Sequence, residues 1–375
     1  MDFTPTEEQE AARELAARIL GDLSTHERLA AGGGATDAEL WKALSAAGLP
    51  AAVEEIGLLG LVLLLEEQGR VTAQVPLAAT GVYGILAVAR HGTDEQRARL
   101  LPGLRDGTTV ATGAFPATGV VTATGVVTET GEDAAAGEDA AAGEGAETGE
   151  GVARRGRLTG TVAWVPWLRD AAFVLVPDAD RALWLVRTED AGVEAVELTA
   201  PWSAGRLVLD GTPAERLGGE AGEAAPYEDV LAAARTAFAG LQAGVCAGSL
   251  ARAVAYTSVR EQFGRPLATR QAVQLRAADA HMDTESIRVT AYEAAWRSDA
   301  GLDCAAAALT AAWWASEAGK RVVHTGQHLH GGMGADLEHP VHRHFLWGRQ
   351  LDAYLGAGTE LLAELGDLLA KGDQS

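Results

Sequence analysis

Apolar positions recur at helical spacing through residues 1–108, where Leu40, Trp41 and Leu44, then Leu100, Leu101 and Leu104, each mark one face of a helix. The polar positions between them carry start and stop signals. Thr4-Pro5 places a proline in a first turn, Thr36-Asp37-Ala38-Glu39 and Thr93-Asp94-Glu95-Gln96 read as capping boxes, and Gly48 and Gly69 fall where helices end. The longest apolar run, residues 56–65, is flanked by Glu54, Glu55, Glu66 and Glu67 and is about half of what a bilayer crossing needs. It predicts a buried core helix. From 109 to 222 the pattern changes to short β-prone runs at 171–176, 182–186 and 193–198, broken by Pro, Gly and Asp. Beyond 222 long helical segments return near 227–262, 269–298, 303–329 and 338–370. The fold class is therefore α+β: an N-terminal helical domain over 1–108, a small β domain over 109–222, and a four-helix domain over 223–375.

One stretch fits none of these zones. Residues 119–151 read GVVTATGVVTETGEDAAAGEDAAAGEGAETGEG, which cannot bury enough apolar surface to offset its chain entropy. It predicts a disordered acidic insertion at about 119–153. The whole chain carries a net charge of −22, which argues against nucleic acid or an anionic membrane as partner. The two cysteines, Cys246 and Cys304, lie in apolar helical context and supply neither a disulfide framework nor a metal spacing. With no basic leader followed by an apolar stretch at the N-terminus, a reducing cytoplasm is the expected location.

Two motifs carry the chemistry. The segment YTSVREQFGRPLATRQ sets Tyr256, Arg260, Phe263, Gly264 and Gln271 in one register, and HLHGGMG spans His328 to Gly334. Together they resemble the flavin-binding half of the acyl-CoA dehydrogenase family, with its R-x-x-F-G and Q-x-x-G-G-x-G signatures, His328 standing in place of the glutamine. The resemblance implies FAD, held mainly by a neighbouring protomer. An arginine fork suits its pyrophosphate, an aromatic its adenine side, and glycines a close backbone approach. The segment LTGTVAWVP at 158–166 resembles the family strand in which Trp164 flanks the flavin, although Val162 and Pro166 replace its lysine-like and threonine positions. Residues 113–119, GAFPATG, stand where the family has T-E-P-x-x-G-S-D. The resemblance covers about 1–118 and 155–370, and the implied cofactor residues are Arg260, Phe263, Gln271, His328, Gly331, Gly332 and Trp164. No metal site is expected, because the histidines near His328 match no zinc spacing.

The family's reaction needs a carboxylate to take the α-proton while a hydride leaves the β-carbon for the flavin. The family's spacing from His328 lands on Leu355, or on Ala357 with a two-residue slip, and the alternative location, one residue before Arg235, holds Ala234. None accepts a proton, so no catalytic residue is assigned. The family's Arg-Asp pair is replaced by Leu346-Trp347. The chain is similar to the base-less subunits of actinobacterial α2β2 acyl-CoA dehydrogenases of steroid side-chain degradation. That likeness implies a homologous catalytic subunit, a bulky acyl-CoA and an electron-transferring flavoprotein as partners. Two readings compete: a self-sufficient homotetramer whose base is relocated to Asp352 or Glu360, and a flavin-free structural homologue.

Overall fold

The computed structural model describes residues 3–115, 120–128, 154–218 and 225–372. Four helices open the chain: α1 (Glu7–Leu23), α2 (His26–Ala31), α3 (Ala38–Ala46) and α4 (Leu49–Val71). Next, α5 (Leu77–Ala79) widens into a π-helical turn, Thr80–Leu86, which continues as α6 (Ala87–His91) before α7 (Asp94–Arg105). The start signals are partly relocated. Thr6 and Gln9 form the capping box of α1, so Pro5 lies outside the first turn rather than within it. Thr93 and Gln96 cap α7 as a reciprocal pair. At α3 the cap is Asp37, which accepts from the Leu40 amide, while the Thr36 hydroxyl donates to Asp170. Gly48 ends its helix in the left-handed region, φ 76°. Gly69 does not end one: it lies inside α4, where a Cβ would strike the Leu241–Val245 backbone, so it marks a close helix crossing.

The middle zone is a seven-stranded sheet made of β1 (Ala111–Gly113), β2 (Val121–Thr128), β3 (Arg154–Val165), β4 (Phe173–Pro177), β5 (Leu183–Arg187), β6 (Gly192–Ala195) and β7 (Gly205–Arg216). Its order is β1-β4-β5-β7-β3-β2, with β6 on β7, and only β1–β4 is parallel. One face packs Phe173, Leu175, Leu183 and Leu185 on the helices, and the other encloses a small core that includes Val162, Val174, Trp184 and Leu207. Part of the stretch read as a disordered insertion is strand: Val121–Thr128 pairs antiparallel with β3, its β-branched residues satisfying the ladder. Residues 129–153 lie outside the described residues.

The C-terminal zone comprises α8 (Ala225–Val259), α9 (Gln271–Asp299), α10 (Ala305–His330), α11 (Pro340–Tyr354) and α12 (Gly358–Gly372). The fourth segment read from the sequence is thus broken in two, at Gly356 with φ 120°. α8 is long and apolar enough to cross a membrane, but its apolar window is 94% buried, which is how the central helix of a packed core presents itself. α4, the run read as a core helix, packs beside it and breaks at Gly57, where φ is 71° and ψ is −167°. The break frees two amides, Leu58 N and Leu59 N, and the Asp299 carboxylate at the end of α9 accepts from both at 2.8 Å. Asp299 is a helix cap supplied from a distant part of the chain, steadied by Arg90 at 3.6 Å.

Replacing Asp299 with alanine should lower unfolding free energy by about 2 kcal/mol, the upper end for loss of a helix cap, and Asp299→Asn, whose one carbonyl oxygen can accept from only one of the two amides, should recover only part of that loss. Urea unfolding midpoints of the three proteins check this; an unchanged midpoint for the alanine variant would remove the capping role.

Candidate functional site

The R-x-x-F-G segment folds as a small hairpin at the end of α8. Its strands, β8 (Glu261–Gln262) and β9 (Arg265–Pro266), flank a two-residue turn in which Phe263 has φ 54° and Gly264 φ 74°. Positive φ at both central residues is the geometry of a type I′ turn, which suits glycine but costs roughly 1 kcal/mol for a bulky side chain. At the tip of this turn the Phe263 ring stands in solvent, 89% exposed, with the Arg270 guanidinium over its face at 5.2 Å. Arg260 has its backbone fixed on both sides, its N–H donating to Tyr256 O and its carbonyl accepting from Leu267 N. Its guanidinium projects from the surface with no partner among the described residues, and Gln271, first residue of α9 and eleven positions further on, is also exposed.

The glycine motif ends α10. Gly331, at φ 64°, terminates the helix and leads into a tight turn over Gly331–Ala335. A Cβ on Gly331 or Gly332 would meet nothing within 4 Å, so both peptides are bare to solvent and can approach a ligand directly. Gln327 braces this turn from inside, donating to Gly334 O at 3.1 Å, whereas His328 faces outward into an open groove of about 850 Å³ that it shares with Arg276, Arg321 and His324. The two motifs meet through Tyr256, whose ring stacks on His330 at 4.9 Å and whose hydroxyl lies 3.9 Å from the Met333 sulfur. These outward residues therefore form one face, suited to a phosphate-bearing cofactor held from the other side.

Trp164 belongs to a different place. It is half-buried on β3, its ring 5.5 Å from Tyr354, and Tyr354 opens onto a continuous block of aromatic rings. Phe238 and Trp202 pack edge-on to Tyr354 at 4.6 and 6.1 Å, Trp167 stacks on Trp202 at 4.6 Å, and Trp347 meets Trp202 at 5.6 Å. In the other direction Tyr83 stacks on Phe115 at 5.2 Å and Phe115 on Tyr227 at 5.6 Å. The hydroxyls of Tyr83 and Tyr354 hydrogen-bond at 3.0 Å in the centre, and burial pushes both phenols above their usual range. Aromatic rings thus occupy the space between Trp164 and the residues expected to carry a base.

The base positions agree with that closure. Leu355 and Ala234 are buried, and a small cavity bordered by Arg235, Phe238, Tyr354, Leu355 and Leu361 holds about 20 Å³, room for one water. Neither alternative carboxylate faces it. Asp352, two residues from Tyr354 and so on the opposite side of α11, sits 2.8 Å from Arg349, and burial pushes its carboxyl up. Its backbone carbonyl accepts from Ser316 of α10. Glu360 is spent at the start of α12, accepting from the Ala357 amide at 3.1 Å. Pro166 offers only its carbonyl, which accepts from the buried Thr112 hydroxyl at 2.6 Å. Residues 116–119 of the GAFPATG stretch lie outside the described residues.

Sequence reasoning named the exposed motif residues but not the aromatic block. Its members stand far apart between positions 83 and 354, with no shared spacing to flag them. It also missed the bidentate pair of Arg235 with Glu364, at 2.8 and 2.6 Å, which fastens α12 over α8 beside Leu355.

Comparison with known proteins identifies the family. The family model for the acyl-CoA dehydrogenase N-terminal domain matches residues 6–108, and that for the C-terminal domain matches residues 226–364. The acyl-CoA dehydrogenase FadE27 of Mycobacterium tuberculosis is 35% identical over 398 residues, covering 99% of each chain. Among solved structures, a variant of the Tcur3481-Tcur3483 steroid ACAD superposes with a TM-score of 0.84 at 40% identity, covering 98% of this chain and 99% of that one. The ChsE4-ChsE5 complex from Mycobacterium tuberculosis does so at 0.83 and 32%, covering 99% of both.

The tyrosine pair gives a direct test of the closed block. Tyr83→Phe or Tyr354→Phe alone leaves one buried hydroxyl unpaired and should cost about 1–2 kcal/mol, while the double variant should cost no more than either single one. A double-mutant cycle of unfolding free energies measures the coupling; additive losses would mean that the hydroxyls do not meet.

Proposed function

Because the chain belongs to the acyl-CoA dehydrogenase family, we propose that it is the base-less subunit of a heteromeric, FAD-dependent acyl-CoA dehydrogenase, lending flavin contacts to a homologous subunit that carries the base. One observation supports this reading: residues suited to a flavin held from outside are exposed, while the described residues around Trp164 and Tyr354 are packed with aromatic side chains. The donor set fits FAD only as a shared ligand. Arg260, Gln271 and the bare Gly331–Gly332 peptides can meet a pyrophosphate, but beside Trp164 there is a proline for the hydroxyl residue and a tyrosine in the adjoining space.

FAD, when bound, accepts the hydride from the β-carbon of the thioester. This chain's residues do the holding. The Arg260 guanidinium neutralises phosphate charge as a planar fork, and its fixed backbone means little ordering is needed on binding. Phe263, already projected by its turn, offers an apolar face to the nucleotide or to the partner chain. The α-proton goes to a carboxylate of the homologous subunit, since Leu355, Ala357 and Ala234 cannot take it.

The substrate we infer is a bulky acyl-CoA, such as one with a steroid side chain. Support comes from the likeness to proteins described as a steroid ACAD, at 40% identity over nearly the whole length. An electron-transferring flavoprotein is the proposed acceptor. A cytoplasmic location is proposed too, in keeping with two free cysteines.

Expressed alone, the chain should purify colourless, and co-expressed with a base-bearing homologue it should give a yellow, active complex holding one flavin per pair of unlike chains. Arg260→Ala in this chain alone should weaken flavin retention by that complex roughly a hundredfold, and Arg260→Lys by less, as loss of a charge-assisted fork requires. Flavin absorbance per protein measures both; unchanged retention in the alanine variant would remove this chain from the cofactor site.

A further inference from the structure

A cleft of about 350 Å³ opens between α7 and the sheet, at the end of β3 remote from Trp164. Its floor follows from strand register. Arg155 on β3 pairs with Glu215 on β7, Glu215 pairs with Leu185 on β5, and Phe173 on β4 pairs with Arg187, two residues on from Leu185. Paired residues in an antiparallel ladder share a face, as do residues two apart on one strand, so all five side chains leave the sheet on the same side. α7 supplies the remaining wall with Arg99 and Leu100.

The lining has two parts. Phe173 and Leu185 are 6% and 8% exposed and belong to the main core, so the floor is apolar and backed by packed side chains. Arg99, Arg155 and Arg187 stand around it. Two of these are oriented by carboxylates: Arg99 lies 2.5 Å from Glu215, which also accepts from Gln96 at 2.7 Å, and Arg187 meets Glu189 and lies 3.4 Å from Asp190. A guanidinium carries five N–H donors in a rigid fork, so a carboxylate on one edge fixes its direction and leaves other donors to give. Close-packed interiors leave few voids larger than a water, and the cavity beside Leu355 is of that kind at about 20 Å³. The cleft under α7 is far larger. Set at the junction of two domains, apolar at its floor and edged by a few oriented polar groups, it has the make-up of a small-molecule site.

The lining also selects the ligand. An inorganic anion would reach the guanidiniums and leave the floor wet, and a neutral hydrocarbon would cover the floor and strip water from the guanidiniums with nothing in return. A molecule with both parts satisfies the whole lining. We infer that this cleft binds a small carboxylate bearing a short apolar body, with the body on Phe173 and Leu185 and the carboxylate among Arg99, Arg155 and Arg187. The site is separate from the flavin contacts. No residue of the R-x-x-F-G segment or the glycine turn lines it, and Arg155 precedes Trp164 by nine residues on β3, about 30 Å along the strand.

Isothermal titration of the full chain with octanoate tests this, with acetate and 1-octanol supplying the two halves of the molecule as controls. Octanoate is expected to bind saturably, one per chain, and each control about tenfold more weakly. Arg187→Gln alters a side chain that is 66% exposed and tolerant of change; it should weaken octanoate about tenfold and leave octanol unaltered, because only a charge-assisted contact is lost. Leu185→Phe, which enlarges the floor into the cleft, should weaken octanoate and octanol together. Circular dichroism establishes that each variant is folded, and Arg187→Gln carries the test if Leu185→Phe is not. No saturable octanoate binding, either control binding as tightly as octanoate, or an unchanged octanoate affinity in Arg187→Gln would overturn the site.

Discussion

The hydrogen bond between the Tyr83 and Tyr354 hydroxyls fixes where the two helical regions meet, and the chemistry open to the chain follows from it. Tyr83 comes from a buried π-helical turn, whose wider backbone departs from the α-helical register, and Tyr354 is the last residue of α11. Each phenol would be an unsatisfied polar group without the other, so the pair holds both elements in one register. Phe115, Phe238 and Trp202 then pack around it in stacked and edge-on geometries, adding contact energy beyond simple burial. The stop at Gly356 follows at once, which leaves Leu355 pressed into the same core. Leu355 and the rings around the tyrosine pair are thus set by one local structure.

The outward face depends on a different constraint, backbone geometry. Phe263 stands exposed at the tip of a turn that disfavours its side chain, and Gly331 ends α10 in a conformation that favours glycine. A lone soluble chain gains nothing from a strained, solvated phenyl ring. One surface thus exposes the two motifs, while the aromatic block packs the interior beside Trp164.

Much of the fold was legible in the sequence because its signals are local. Thr93-Asp94-Glu95-Gln96 and Gly48 act where their chemistry says they should, and the β-prone runs became strands within a few residues. Signals failed where a distant partner decides. Gly69 reads as a helix end yet is a crossing point with α8, and the break at Gly57 is tolerable only because Asp299 arrives from far along the chain. Val121–Thr128 looked too poor in large side chains to fold, but β3 supplies its ladder. At the site, Arg260, Phe263 and the glycines were legible because their motif is contiguous. The aromatic block was not, since only folding brings Tyr83, Trp202 and Tyr354 together.

The central proposal is that this polypeptide supplies no proton acceptor beside Trp164 and that a homologous subunit supplies it. Anaerobic mixing of the lone chain, supplied with excess FAD, with a steroid acyl-CoA thioester tests it most directly, by following flavin absorbance against the same mixture containing the base-bearing homologue. The account predicts no loss of absorbance for the lone chain and rapid loss for the pair. Bleaching by the lone chain would contradict it.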